Sequence, residues 1–239
     1  MFETTSKNKI SYAFNIAYFG LGLVQTIAEL FELNHIALTL RMVLPILLLS
    51  LYHINSTQKN ILFYSIMGLL LLSNILFFYT NQPLFFYGVL AFLLLRILSL
   101  VQIFKLTKHI NYLHITVATF PFLLIFFYLI SATNEISELE FNLLIVQSIL
   151  ISLLGGISVV NYFENDNRQH SWLLISTLLF VGLRFIVFIE RYFIFNASLT
   201  IYRPIGIILT IFAFYTFYKY VIAAESEQHK HNTTKNHEP

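Results

Sequence analysis

The chain has no cysteine and a single aspartate among its 239 residues, and only 11% of those residues are charged. Without cysteine there is no disulfide, no thiolate nucleophile and no cysteine-based metal site. With one aspartate there is no aspartate pair, and that one, Asp166, falls in a polar loop. The scarcity of charge, set against 57% hydrophobic residues including 25 Phe and 14 Tyr, excludes a water-soluble fold. The net charge of +2 is spread over loops and a tail, so no basic patch supports binding to nucleic acid. Gly-rich phosphate loops, the HExxH pattern and the serine elbow are also missing, and nothing calls for a cofactor.

What is present is a succession of long apolar runs. A bilayer core needs roughly 20 apolar residues per helix, and runs of that kind lie at about 10–30, 35–52, 60–79, 84–104, 112–132, 141–162, 171–190 and 199–222. The first is too long, and too polar along one face, for a cleaved signal peptide, so it reads as a retained span. The expectation is an all-α bundle of eight transmembrane helices over 1–223, followed by a polar, disordered tail at 224–239. Lys and Arg outside the spans concentrate in alternate loops: the N-terminus and the segments with Lys59, Lys105, Lys108, Arg168, Lys230 and Lys235. The opposite loops hold Arg191, with Glu135, Glu138 and Glu140 in the longest of them. This asymmetry places both termini in the cytoplasm, and the expected location is a bacterial inner membrane. Aromatic residues at span ends, among them Tyr52, Tyr112 and Trp172, fit the interfacial belts.

Ionisable groups at membrane depth mark function by default. In the first span Asn15, Tyr18, Gly22, Gln25, Glu29 and Glu32 recur at steps of three and four, one stripe that should face the bundle, lining a ligand or bonding to other helices. Arg41, Arg96, Arg184 and Arg203 lie inside apolar runs, and Glu190 and Arg191 close the seventh. Five arginines (41, 96, 184, 191, 203) against three glutamates (29, 32, 190) leave two surplus positive charges. A central arginine costs roughly 2.5–3.5 kcal/mol on insertion scales, so an anionic ligand would relieve the surplus. Guanidinium forks match phosphate in a bidentate way, which points to a phospholipid or lysophospholipid head group arriving from the outer leaflet. In the competing structural reading Arg41 and Arg203 pair with the glutamates while the others snorkel or bond to backbone carbonyls. Asn74 reads as an interhelical hydrogen bond, and Pro45 and Pro121 as kinks. Ser148, Ser152, Gly155 and Gly156 read as close helix packing. His229 and His231 of the tail read as solvated residues in preference to metal ligands.

Several stretches taken together resemble the YhhN family of lysoplasmalogenase-like integral membrane proteins. They are LLLLSNILFF (69–78) followed by FFYGVLAFLLLRILSL (85–100), STLLFVGLRFIVFIERYF (176–193), FYTFYKYVIA (214–223) and LRMVLPILLL (40–49). The resemblance implies eight spans and hydrolysis of the vinyl-ether bond of a lysoplasmalogen. On this alignment Asn74 and Arg184 stand at the family's two aspartates, Arg96 at its fourth-span histidine and Lys219 at its closing glutamine. Opening a vinyl ether needs a proton donor and a carboxylate for the oxocarbenium-like cation, as in glycoside hydrolysis. Arginine neither gives up its proton nor stabilises a cation. A hydrolytic version would therefore recruit its acid from Glu29, Glu32 or Glu190.

The candidate catalytic set is then Asn74, Arg184, Glu190 and Glu29. The candidate substrate-binding set is Arg41, Arg96, Arg203, Gln25 and Asn15, without a metal. The expected partner is a membrane lipid or lysophospholipid, its phosphate held by Arg184, Arg96 and Arg41. The alternative is a lipid-binding or sensing member of the family that does no catalysis.

Overall fold

In a computed structural model the chain forms helices α1 (Phe2–Leu30), α2 (Asn34–Asn55), α3 (Ile61–Phe78), α4 (Gln82–Leu106), α5 (Tyr112–Ser131), α6 (Glu138–Glu164), α7 (Arg168–Tyr192) and α8 (Tyr202–Lys235). The structure describes residues 2–78, 82–107, 111–133, 138–165, 167–192 and 201–235, and the side chains of all of these but 2–7, 78, 82–83 and 229–235. Asp166 and the side chains of His229 and His231 lie outside that description. Seven of the helices are long and apolar enough to cross a membrane, and the apolar part of α3, Ile61–Phe77, is shorter. Each of the eight runs expected from sequence thus forms a helix. The described residues contain no strand.

The helices divide between two compact units, Met1–Gln102 with Tyr218–Pro239, and Ile103–Phe217, so α4 and α8 each contribute to both. In unit 1, α1 packs on α2 and α2 on α3, and Leu48, Leu51, Phe63, Ile66 and Met67 are almost wholly buried. In unit 2, α5 packs on α6 and α6 on α7. Glycine decides how closely α5 and α6 approach: a Cβ on Gly156 would come within 2.8 Å of the Thr119 backbone nitrogen, and one on Gly155 within 2.9 Å of the Phe122 ring. The outer face of α5, by contrast, exposes Leu113, Val117, Phe120, Leu124 and Tyr128. A contiguous apolar surface of that kind is not sustained in water and is ordinary against lipid.

Helix ends follow local chemistry. Asn167 caps α7 by accepting a 3.0 Å bond from the His170 amide, and Asn60 starts α3 by accepting one of 3.0 Å from the Leu62 amide. At the end of α1, Leu33 N bonds Ala28 O (2.7 Å) and Glu32 N bonds Glu29 O (3.1 Å), with Glu32 at φ 56°. That is the paired closure of a Schellman motif, with glutamate in the left-handed position that glycine ordinarily fills. Glu32 is exposed in that turn, past the end of the stripe that sequence periodicity assigns it to.

The polar tail expected from residue 224 onward continues the same helix, since α8 runs unbroken to Lys235. Ala224 and Glu225, just past the end of the apolar run, are both buried.

Candidate functional site

The inward stripe of α1 carries Tyr18, Gly22, Gln25 and Ala28, all buried, with Glu29 at its end. Asn15, half-buried, donates 2.7 Å back to the Ser11 carbonyl of its own helix. Glu29 Oε2 stands 3.6 Å from Arg41 Nη2, a long ion pair across the α1–α2 turn in which the carboxylate is the better buried partner.

Arg41 also takes part in a second interaction, through its backbone. Four residues on, Pro45 has no N–H, so the Arg41 carbonyl has lost its helical donor. The side-chain amide of Asn74 in α3 supplies one, Nδ2 donating to Arg41 O at 3.0 Å. A buried carbonyl at membrane depth requires a partner, and an amide can provide it where an ionised carboxylate cannot. This accounts physically for asparagine at position 74. Arg96, only 5% exposed, lies with its Cζ 5.2 Å from the Phe92 ring centroid, in cation–π range.

In unit 2, Arg191 directs both Nε (2.9 Å) and Nη2 (2.7 Å) onto Glu140 Oε1, which also accepts 2.6 Å from the Tyr192 hydroxyl. Glu140, expected in a loop, stands in the first turn of α6. Arg203 Nε donates 3.1 Å to Glu190, with the arginine side chain 66% exposed. At the other end of this unit His114 Nδ1 meets Glu164 at 2.7 Å.

Arg184 differs from these. It sits on the inward stripe of α7, one turn from Phe188 and one from Phe180, both buried. Its Nε and Nη2 are out of solvent and have no hydrogen-bond acceptor, and no carboxylate pairs with it among the described residues. Phe188 shares an apolar cluster with Ile130 and Leu144. One turn inward from Leu144 on α6 is Ser148, and one turn further Ser152, both fully buried with hydroxyls that lack a partner.

The structure therefore brings Glu29 and Asn74 to Arg41, and Glu190 to Arg203. The arginines expected to share one ligand are divided: Arg41 and Arg96 belong to unit 1, Arg184 and Arg203 to unit 2.

Sequence reasoning missed one cluster. Glu225 in α8, 1% exposed, accepts from the Tyr52 hydroxyl at one oxygen and from the Ser56 hydroxyl at 2.6 Å on the other. Tyr52 also accepts from the Asn60 amide and Ser56 from the Lys59 amide, each at 2.8 Å. Beside it Asn55 donates 2.8 Å to Tyr218 and 2.9 Å to Ser11. The signal was available in the acid following the apolar run of α8, but its neighbours ESEQHKH read as a solvated tail.

Compared with family models, curated proteins and solved structures, the chain matches none.

Proposed function

We propose that this chain is an integral membrane protein of the lysoplasmalogenase-like YhhN type, with both termini in the cytoplasm of a bacterial inner membrane. It takes a lysophospholipid-like molecule from the outer leaflet and holds it without hydrolysing it. The observation that carries the reading is the state of the arginines. Arg41, Arg191 and Arg203 each have a carboxylate, whereas two nitrogens of Arg184 are buried with no acceptor. Guanidinium nitrogens kept from water without an acceptor are costly, and an anion supplied from outside the chain offsets that cost.

Binding is better supported than turnover for three reasons. Asn74 is engaged by the carbonyl that Pro45 leaves open, and arginine at 184 cannot act as an acid. Glu29 and Glu190, the remaining candidates for a proton donor, are each held by an arginine.

The test is mass spectrometry of lipids retained through gentle purification. Wild type should carry a lysophospholipid-like species that Arg184→Ala loses. Folded wild type without such a lipid, or a variant that keeps it, overturns the reading. Release of fatty aldehyde from lysoplasmalogen would return the hydrolase.

A further inference from the structure

The Nε and Nη2 hydrogens of a guanidinium lie side by side and point the same way, forming its side-on fork. Arg191 shows this fork closed, both nitrogens directed onto one oxygen of Glu140. Seven residues earlier on the same helix, the same two nitrogens of Arg184 are the ones without an acceptor. The serines on α6 complete the contrast. Hydroxyls in these helices commonly turn back onto a carbonyl of their own helix, as Ser99, Thr116, Ser131, Ser158 and Thr210 do. Ser148 and Ser152 do not, although both are buried. Since Leu144 and Phe188 share one cluster near the start of α6 and the end of α7, one turn inward from each reaches Ser148 and Arg184 at the same level.

From this arrangement we infer a seat on α6 and α7 for a single negative charge: the head group is a monoanion, a phosphodiester or a carboxylate, gripped side-on by Arg184 and bonded by Ser148 and Ser152. The inference rests on the binding reading above and narrows its ligand class. Charge matching carries the narrowing. Of Arg184, Arg191 and Arg203, the last two are each matched by a carboxylate, so among these three one guanidinium is left to balance one charge. A phosphomonoester would bring nearly two charges, and the second would be buried without a partner. The hydroxyls supply the neutral donors that the remaining lone pairs of a monoanion require.

Thermal unfolding of delipidated full-length protein in neutral detergent tests this, with probes of matched acyl chain: lysophosphatidylglycerol (phosphodiester), oleate (carboxylate), lysophosphatidic acid (phosphomonoester) and monoolein (uncharged). At about 100 times Kd, lysophosphatidylglycerol or oleate should raise Tm by roughly 5–10 °C, with lysophosphatidic acid well behind and monoolein without effect. The Ser148→Ala/Ser152→Ala double variant should lose about half of that rise while its unliganded Tm stays within a few degrees of wild type. Arg184→Lys, which keeps the charge and removes the fork, should lose most of it. The largest rise with lysophosphatidic acid, abolished by Arg184→Ala, overturns the monoanion assignment and leaves the binding reading standing. No rise with any anion, or one that Arg184→Ala retains, overturns both. An unchanged rise in the double serine variant removes the serines from the site.

Discussion

Glu225 in unit 1 and Arg184 in unit 2 are both ionisable groups among apolar helices, one acidic and one basic. Around Glu225 both carboxylate oxygens are met by hydroxyls, and those hydroxyls are met in turn by the backbone amides of Lys59 and Asn60. The result is a closed polar knot that ties the α2–α3 turn, where Lys59 takes φ 49°, to α8. Around Arg184 the fork is open, and on α6 the buried hydroxyls of Ser148 and Ser152 are likewise without a partner. A fully satisfied buried network rigidifies a fold, whereas a partly satisfied one is a liability unless something else fills it. On the proposed reading the first region serves stability and the second a guest.

The largest effect of any single change belongs to the closed region. Glu225→Ala leaves the Tyr52 and Ser56 hydroxyls buried without acceptors at about 1–3 kcal/mol each. Because polar contacts in membranes average lower, the loss should fall near 3 kcal/mol, a drop in Tm of roughly 6–12 °C. Glu225→Gln keeps one acceptor oxygen and should cost less than half as much. A Glu225→Ala protein that melts within a degree or two of wild type would mean that the knot holds nothing.

A smaller effect is expected at Asn74. Asn74→Leu removes the donor that answers the Arg41 carbonyl and should cost about 1 kcal/mol. In a Pro45→Ala background the alanine N–H takes over that carbonyl, so the same Asn74→Leu change should cost close to nothing. Equal costs in the two backgrounds, read from a double-mutant cycle of unfolding midpoints, would break the coupling.

These residues also show what a sequence of this kind discloses. Apolar run length specifies the helices, because the bilayer leaves little choice of backbone structure. Position 74 was readable as an interhelical bond, since a lone amide in a hydrocarbon-facing run must find an acceptor. Its acceptor was not readable, because it depends on Pro45 being 29 residues away in sequence and adjacent in space. The pairing of Arg41 and Arg203 with glutamates followed from charge counting, and that of Arg191 did not, because Glu140 counted as a loop residue and stands in the first turn of α6. Glu225 escaped for a similar reason: composition marks where hydrophobicity ends, while burial depends on how far the helix continues. Tyr52, read as an interfacial aromatic, proves wholly buried, since its hydroxyl has a partner 173 residues downstream.

The smallest effect, and the one that most sharpens the contrast, is expected at Arg184 in protein stripped of lipid. A group that contributes internal contacts costs stability when removed, as argued for Glu225. A buried cation whose fork nitrogens lack acceptors loses no bonds from them on replacement and sheds a desolvation penalty. Arg184→Leu should therefore leave the unliganded Tm unchanged or raise it by a degree or two, even though the same substitution abolishes stabilisation by an anionic amphiphile. A side chain that is dispensable to the empty fold yet required by the filled one is accounted for by its ligand. If Arg184→Leu instead destabilises delipidated protein by about 3 kcal/mol or more, what breaking a satisfied buried pair would cost, the guanidinium has internal partners after all. The two regions would then be of one kind.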